Sequence, residues 1–96
     1  MISTHVLDTE RGRPAEGVRV ELYRGDELLA AKETDADGRI TELAGDLDPG
    51  VYRLVFFLES SPFFRKVEIE ISLDATGPVH VPLLLAPYAC TTYRGS

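Results

Sequence analysis

Val67-Glu68-Ile69-Glu70-Ile71-Ser72-Leu73 decides the fold. Aliphatic and polar residues alternate along it without a break. A period of two puts Val67, Ile69, Ile71 and Leu73 on one side of an extended chain and Glu68, Glu70 and Ser72 on the other, whereas a helix would scatter the four apolar side chains around its circumference. The segment therefore reads as a strand with one buried face. The same period runs through Val18, Val20 and Leu22, set against Arg19, Glu21 and Tyr23, and through Tyr52, Leu54, Phe56 and Leu58, set against Arg53. Turn-forming groups punctuate these runs: Arg11-Gly12-Arg13-Pro14, Gly25-Asp26, Asp35-Ala36-Asp37-Gly38, Asp48-Pro49-Gly50, Ser60-Ser61-Pro62 and Thr76-Gly77-Pro78. Strands are expected at about 2–8, 17–24, 27–34, 39–43, 51–58, 65–73, 78–85 and 88–94. This pattern predicts an all-β, eight-stranded antiparallel sandwich with little or no helix.

A chain of 96 residues has room for one domain, residues 1–96, with a single core. Its 44% hydrophobic and 27% charged residues are those of a globular protein. The net charge of −6 and the lack of a Lys/Arg cluster argue against binding nucleic acid or an anionic membrane, both polyanions. No apolar run approaches the ~20 residues of a membrane-spanning helix. The start, Met1-Ile2-Ser3-Thr4-His5, enters strand-like sequence at once without the features of an export signal, so a cytoplasmic location is expected. The lone cysteine, Cys90, excludes an intramolecular disulfide and reads as a small, partly buried hydrophobe. The acidic residues are spread over turns and strand faces, a pattern of solubility rather than of a paired-carboxylate site.

Four elements could carry chemistry. His5 and His80 lie inside strands, where strand parity puts His5 on a face with Leu7 and His80 on a face with Pro82 and Leu84. Imidazole exchanges protons near neutrality, although each histidine taken singly also suits a structural, hydrogen-bonded role. Arg39 follows the Asp-Ala-Asp-Gly turn, where a solvated arginine is the plainer reading. The fourth is Tyr93-Arg94-Gly95-Ser96, a polar tail directly after the apolar Val79–Leu85 region. No phosphate-binding loop, nucleophile elbow or metalloprotease helix is present, and two histidines without a nearby third ligand argue against a structural zinc site, while leaving room for an adventitious metal between them.

Several segments together resemble one family, the transthyretin-related 5-hydroxyisourate hydrolases. They are Thr4-His5-Val6-Leu7-Asp8 with Gly12-x-Pro14-Ala15, Thr34-Asp35-x-Asp37-Gly38-Arg39, Pro49-Gly50-x-Tyr52, and His80-Val81-Pro82-Leu83-Leu84-Leu85-x-Pro87-Tyr88 leading to Thr92-Tyr93-Arg94-Gly95-Ser96. The resemblance implies a transthyretin-like (prealbumin-like) sandwich and a cofactor-free enzyme. Its substrate would be 5-hydroxyisourate, opened to 2-oxo-4-hydroxy-4-carboxy-5-ureidoimidazoline in urate degradation. It also implies a homotetramer with sites where dimers meet. Carried over by motif, His5, Arg39, His80 and Ser96 are catalytic, and Arg39, Tyr93, Arg94 and Gly95 bind substrate. The chain departs from the family in having Pro78-Val79-His80 for the usual His-Tyr-His, Ala89-Cys90 for Gly-Tyr, and a shortened segment 57–64 in which a tight connection is expected instead of a small helix.

The chemistry suits these residue types. Opening a cyclic amide with water needs a base for the water's proton, stabilisation of the carbonyl oxygen as it becomes an oxyanion, and an acid for the leaving nitrogen. His5 is the expected base, His80 orients water or returns the proton, and Arg39 holds the carbonyl-rich substrate through its forked donors. Two other readings share the strand layout: a transthyretin-like small-molecule carrier without catalysis, and a structural sandwich of the carboxypeptidase-regulatory type.

Overall fold

The computed structural model describes residues 1–74 and 77–95; Ser96, and Thr76 of the last turn signal, lie outside the described residues. The strands are β1 (Ile2–Asp8), β2 (Arg13–Pro14), β3 (Arg19–Arg24), β4 (Glu27–Glu33), β5 (Arg39–Ala44), β6 (Gly50–Phe57), β7 (Lys66–Leu73), β8 (Val79–Ala86) and β9 (Ala89–Thr92). Eight of them fall where strands are expected from the sequence. The ninth, β2, is a two-residue return of the chain against Leu7 and Asp8. Among the described residues there is no helix, and none long and apolar enough to cross a membrane.

The strands form two sheets. One has the order β4-β3-β6-β7 and is antiparallel throughout. In the other, β1 is central, with β5 and β2 along one side and β8 then β9 along the other. Here β1 and β8 run parallel, which departs from the antiparallel expectation for that pair. Alternation along each strand supplies the layer between the sheets. Ile2 and Val6 from β1, Val20 and Leu22 from β3, Leu54 and Phe56 from β6 and Leu83 from β8 are wholly buried there. Each such side chain stabilises the fold by about 1.5–3 kcal/mol.

The polar groups this core takes in are satisfied. Thr4 is buried among the apolar residues, and its hydroxyl donates to the Val81 carbonyl at 2.6 Å. The Pro49-Gly50-x-Tyr52 motif brings the Tyr52 hydroxyl under its own turn, where it donates to the Asp48 carbonyl and accepts from Arg24 at 3.1 Å. Residues 58–65 close the shortened segment as a tight turn. The Leu58 N–H donates to the Arg65 carbonyl, and the Ser61 hydroxyl accepts from the Phe64 N–H. One acidic residue is not a mere solubility group. Glu21 is buried on the outer face of the β3 sheet, taking hydrogen bonds from Tyr23 at 2.6 Å and Arg19 at 2.9 Å, which hold its carboxyl below the usual range.

Candidate active site

Parity on β1 directs Thr4 and Val6 into the core and Ser3, His5 and Leu7 to the opposite face. The parallel register with β8 sets Ser3 opposite His80 and His5 opposite Pro82. His80 therefore shares that outer face and is a diagonal neighbour of His5. On the other flank of β1, the antiparallel register sets Arg39 directly opposite His5. Three residues far apart in sequence are thus collected on one patch of one sheet, half-buried in the case of the two histidines.

The turn before β5 delivers Arg39. One carboxylate oxygen of Asp35 accepts from the backbone N–H of Asp37 and of Arg39, each at 2.9 Å. Gly38 follows at φ 72°, a conformation that costs a glycine little. It also lies flush against β1, its carbonyl accepting from the Val6 N–H at 2.8 Å. A Cβ at this position would sit 2.5 Å from the Val6 carbonyl oxygen and 2.9 Å from Pro14 Cβ.

His80 is gripped on two sides. Its Nδ1 lies 2.9 Å from the Ser3 hydroxyl, a partner that the sequence reading did not find. On the other side the Gly95 N–H donates to the His80 carbonyl at 2.7 Å, an isolated antiparallel bridge. Gly95 passes so close that a Cβ there would be 2.6 Å from the imidazole Cδ2. Of the residues named from sequence, His5, Arg39, His80 and Gly95 are therefore brought together. Tyr93 and Arg94 are exposed and border a cavity of about 300 Å³ on the β7 side, while Ser96 lies outside the described residues. Gly95 engages His80 through its backbone. Cys90 packs at the edge of the core, and burial pushes its thiol above the ordinary value, away from reactivity at neutral pH.

Burial first, then the Arg39 guanidinium and the neighbouring His5, lowers the pKa of His80 below the ordinary 6.5. The ring is neutral at pH 7 and free to accept a proton. Two results follow from the sign. The acid limb of any activity that needs neutral His80 falls below pH 6.5, read from the pH profile of turnover, and Arg39→Gln, which removes a cationic neighbour, moves the His80 titration back up, read by histidine NMR. The associated stability is full above pH 6.5 and is lost as pH falls toward the folded-state value, because unfolded chains take up the proton first.

Residues 2–95 match the model of the HIUase/Transthyretin family. The chain is 39% identical over 117 residues to 5-hydroxyisourate hydrolase 2 of Rhizobium meliloti, covering 99% of this chain and 95% of that protein. In structure it superposes on Klebsiella pneumoniae 5-hydroxyisourate hydrolase with a TM-score of 0.91 and 38% identity, covering 99% of this chain and 97% of the other. Sea bream transthyretin in complex with thyroxine is also similar, with a TM-score of 0.86, 27% identity and coverage of 98% and 93%. With residues 2–95 matched by one family model, this chain belongs to the HIUase/Transthyretin family.

Proposed function

We propose that the chain, as one domain of residues 1–96, is a 5-hydroxyisourate hydrolase of cytoplasmic urate degradation. The observation that carries this reading is the convergence of His5, Arg39 and His80 on one sheet face, in a chain similar over its whole length to proteins named for that activity. A carrier of small molecules has no need of two imidazoles and a guanidinium facing one patch. In the proposed reaction His5 takes a proton from water as its oxygen attacks a ring carbonyl carbon. Arg39 stabilises the oxygen that becomes anionic, the ring C–N bond breaks, and the proton held on His5 passes by way of His80 to the departing nitrogen, which returns both imidazoles to their starting state. The only reactants are water and the cyclic amide. Gly95 closes the site beside His80, while Tyr93 and Arg94 are assigned to substrate binding, and Ser96 to orienting water or a histidine, through the resemblance.

The site is completed by a homotetramer in this reading. A flat sheet face gives a substrate little enclosure, and small-molecule sites favour clefts. Leu84 is half-buried on the same face, and Tyr88 and Tyr93 are 74% and 54% exposed, surface that a facing subunit would cover. β7 and β9 end their sheets with unpaired edges, and the cavity between them is lined by Ile69, Ile71, Leu73, Val79 and Val81. Edges of this kind invite a second copy.

The deciding experiment is the ultraviolet decay of freshly made 5-hydroxyisourate with and without the purified protein. Faster decay with protein is expected; unchanged decay with folded protein overturns the hydrolase reading. Sedimentation should give the mass of four chains, with specific activity falling as dilution dissociates them. An active monomer removes the assembly from the mechanism.

A further inference from the structure

We infer that Ser3 is a positioning residue of this site, holding the Nδ1 edge of His80 so that Nε2 is the nitrogen presented to water or substrate. The inference rests on the hydrolase reading above and adds to it a group outside the inherited set of site residues. Three observations carry it. The Ser3 hydroxyl lies 2.9 Å from His80 Nδ1. The parallel register fixes that approach, because Ser3 and His80 are direct partners on adjacent strands. The opposite flank of the ring is closed by Gly95, so the imidazole has little room to swing.

The chemistry of the partner matters as much as its position. A carboxylate or carbonyl can only accept a hydrogen bond, and a carboxylate at Nδ1 would stabilise the imidazolium and raise its pKa. A hydroxyl both donates and accepts. When Nε2 is the base, Nδ1–H donates to Ser3 Oγ, and the same bond persists once Nε2 has taken a proton. When Nε2 carries the proton of the neutral ring, Ser3 O–H donates to Nδ1 instead. His80 can thus work from one atom as base or acid, with only a hydroxyl rotation. The charged and titratable groups beside the ring, Arg39 and His5, oppose its protonation, and Ser3 adds no charge to offset them.

Two variants and two readouts test this. In the hydrolysis assay Ser3→Ala should lower kcat by roughly 10- to 100-fold with KM nearly unchanged, the scale set by ångström-sized misplacement of a reacting group. Ser3→Thr, which keeps the hydroxyl on a residue suited to a strand, should restore most of it. In parallel, the 15N resonance of His80 Nδ1, assigned against His80→Gln, should move in Ser3→Ala and return in Ser3→Thr. An unmoved Nδ1 resonance overturns the grip itself. A moved resonance with full kcat and an unchanged pH profile leaves a structural contact only and overturns the positioning role. A wild type that never accelerates substrate decay sinks the hydrolase reading and this role with it, while the NMR arm still shows whether Ser3 holds the ring.

Discussion

His5→Ala, Arg39→Ala and His80→Ala should each lower kcat/KM for 5-hydroxyisourate by about 10²-fold or more, as expected when a positioned proton-transfer or charge-stabilising group is removed. None of the three side chains belongs to the core between the sheets, so their loss leaves no cavity there. Their stability should therefore change by less than about 1 kcal/mol, within the usual range for substitutions away from the core. Thermal melts alongside the ultraviolet assay separate the two quantities. A folded variant with near wild-type turnover removes that residue from the mechanism. Comparison of pH profiles between the histidine variants then assigns the base, because the limb that belongs to the base disappears with it.

Gly38→Ala should have the largest effect on stability of any single methyl addition considered. Two penalties combine: an alanine forced to φ 72°, and a Cβ driven to within 2.5 Å of the Val6 carbonyl oxygen, which is backbone and cannot rotate away. Together they cost about 2–4 kcal/mol, which for a domain of this size lowers Tm by roughly 10–25 °C. Relief requires the turn to lift off β1, and that movement would carry Arg39 away from His5. Activity should consequently fall even at temperatures where the variant remains folded. A Gly38→Ala protein with unchanged Tm and turnover would show that the turn is not held against β1 in solution. By contrast Gly12→Ala, in a turn with open space around its Cβ position, carries the conformational penalty alone.

Much of this architecture was legible because strand periodicity is a local property. Val67–Leu73 and Tyr52–Leu58 announce which side is buried, and the Asp-x-Asp-Gly and Pro-Gly-x-Tyr groups announce where the chain turns. Periodicity carries no information on which strand lies beside which, or in what direction. The parallel β1–β8 pairing joins residues 77 apart, and from it follow the diagonal placement of His5 and His80 and the contact of Ser3 with Nδ1. Ser3 stands two residues before His5, on the same face by parity, yet only that register reveals what lies opposite. Glu21 misled for a related reason. Alternation puts it outward, as found, but its burial depends on Arg19 and Tyr23, which stand two residues away on the same strand and fold over it. The family motifs supplied the long-range grouping of His5, Arg39 and His80 that spacing alone could not.

The β1–β8 ladder also sets an order of events as the chain is made. β1 leaves the ribosome early, and its flank stays empty until β8 has followed, some seventy residues later. At about 5–20 residues per second that wait lasts several seconds, long beside the ~1–10 μs in which a hairpin such as β3–β4 or β6–β7 closes. The β4-β3-β6-β7 sheet can be paired well before the face that carries His5, Arg39 and His80 exists. During the interval β1 can pair with β2 and β5 on one side only, and its other edge stays open, the kind of edge on which chains aggregate or chaperones act. The contacts that hold the His80 ring, the patch of His5, Arg39 and His80 and the closing of that vulnerable edge should then arrive together, in one late step of folding.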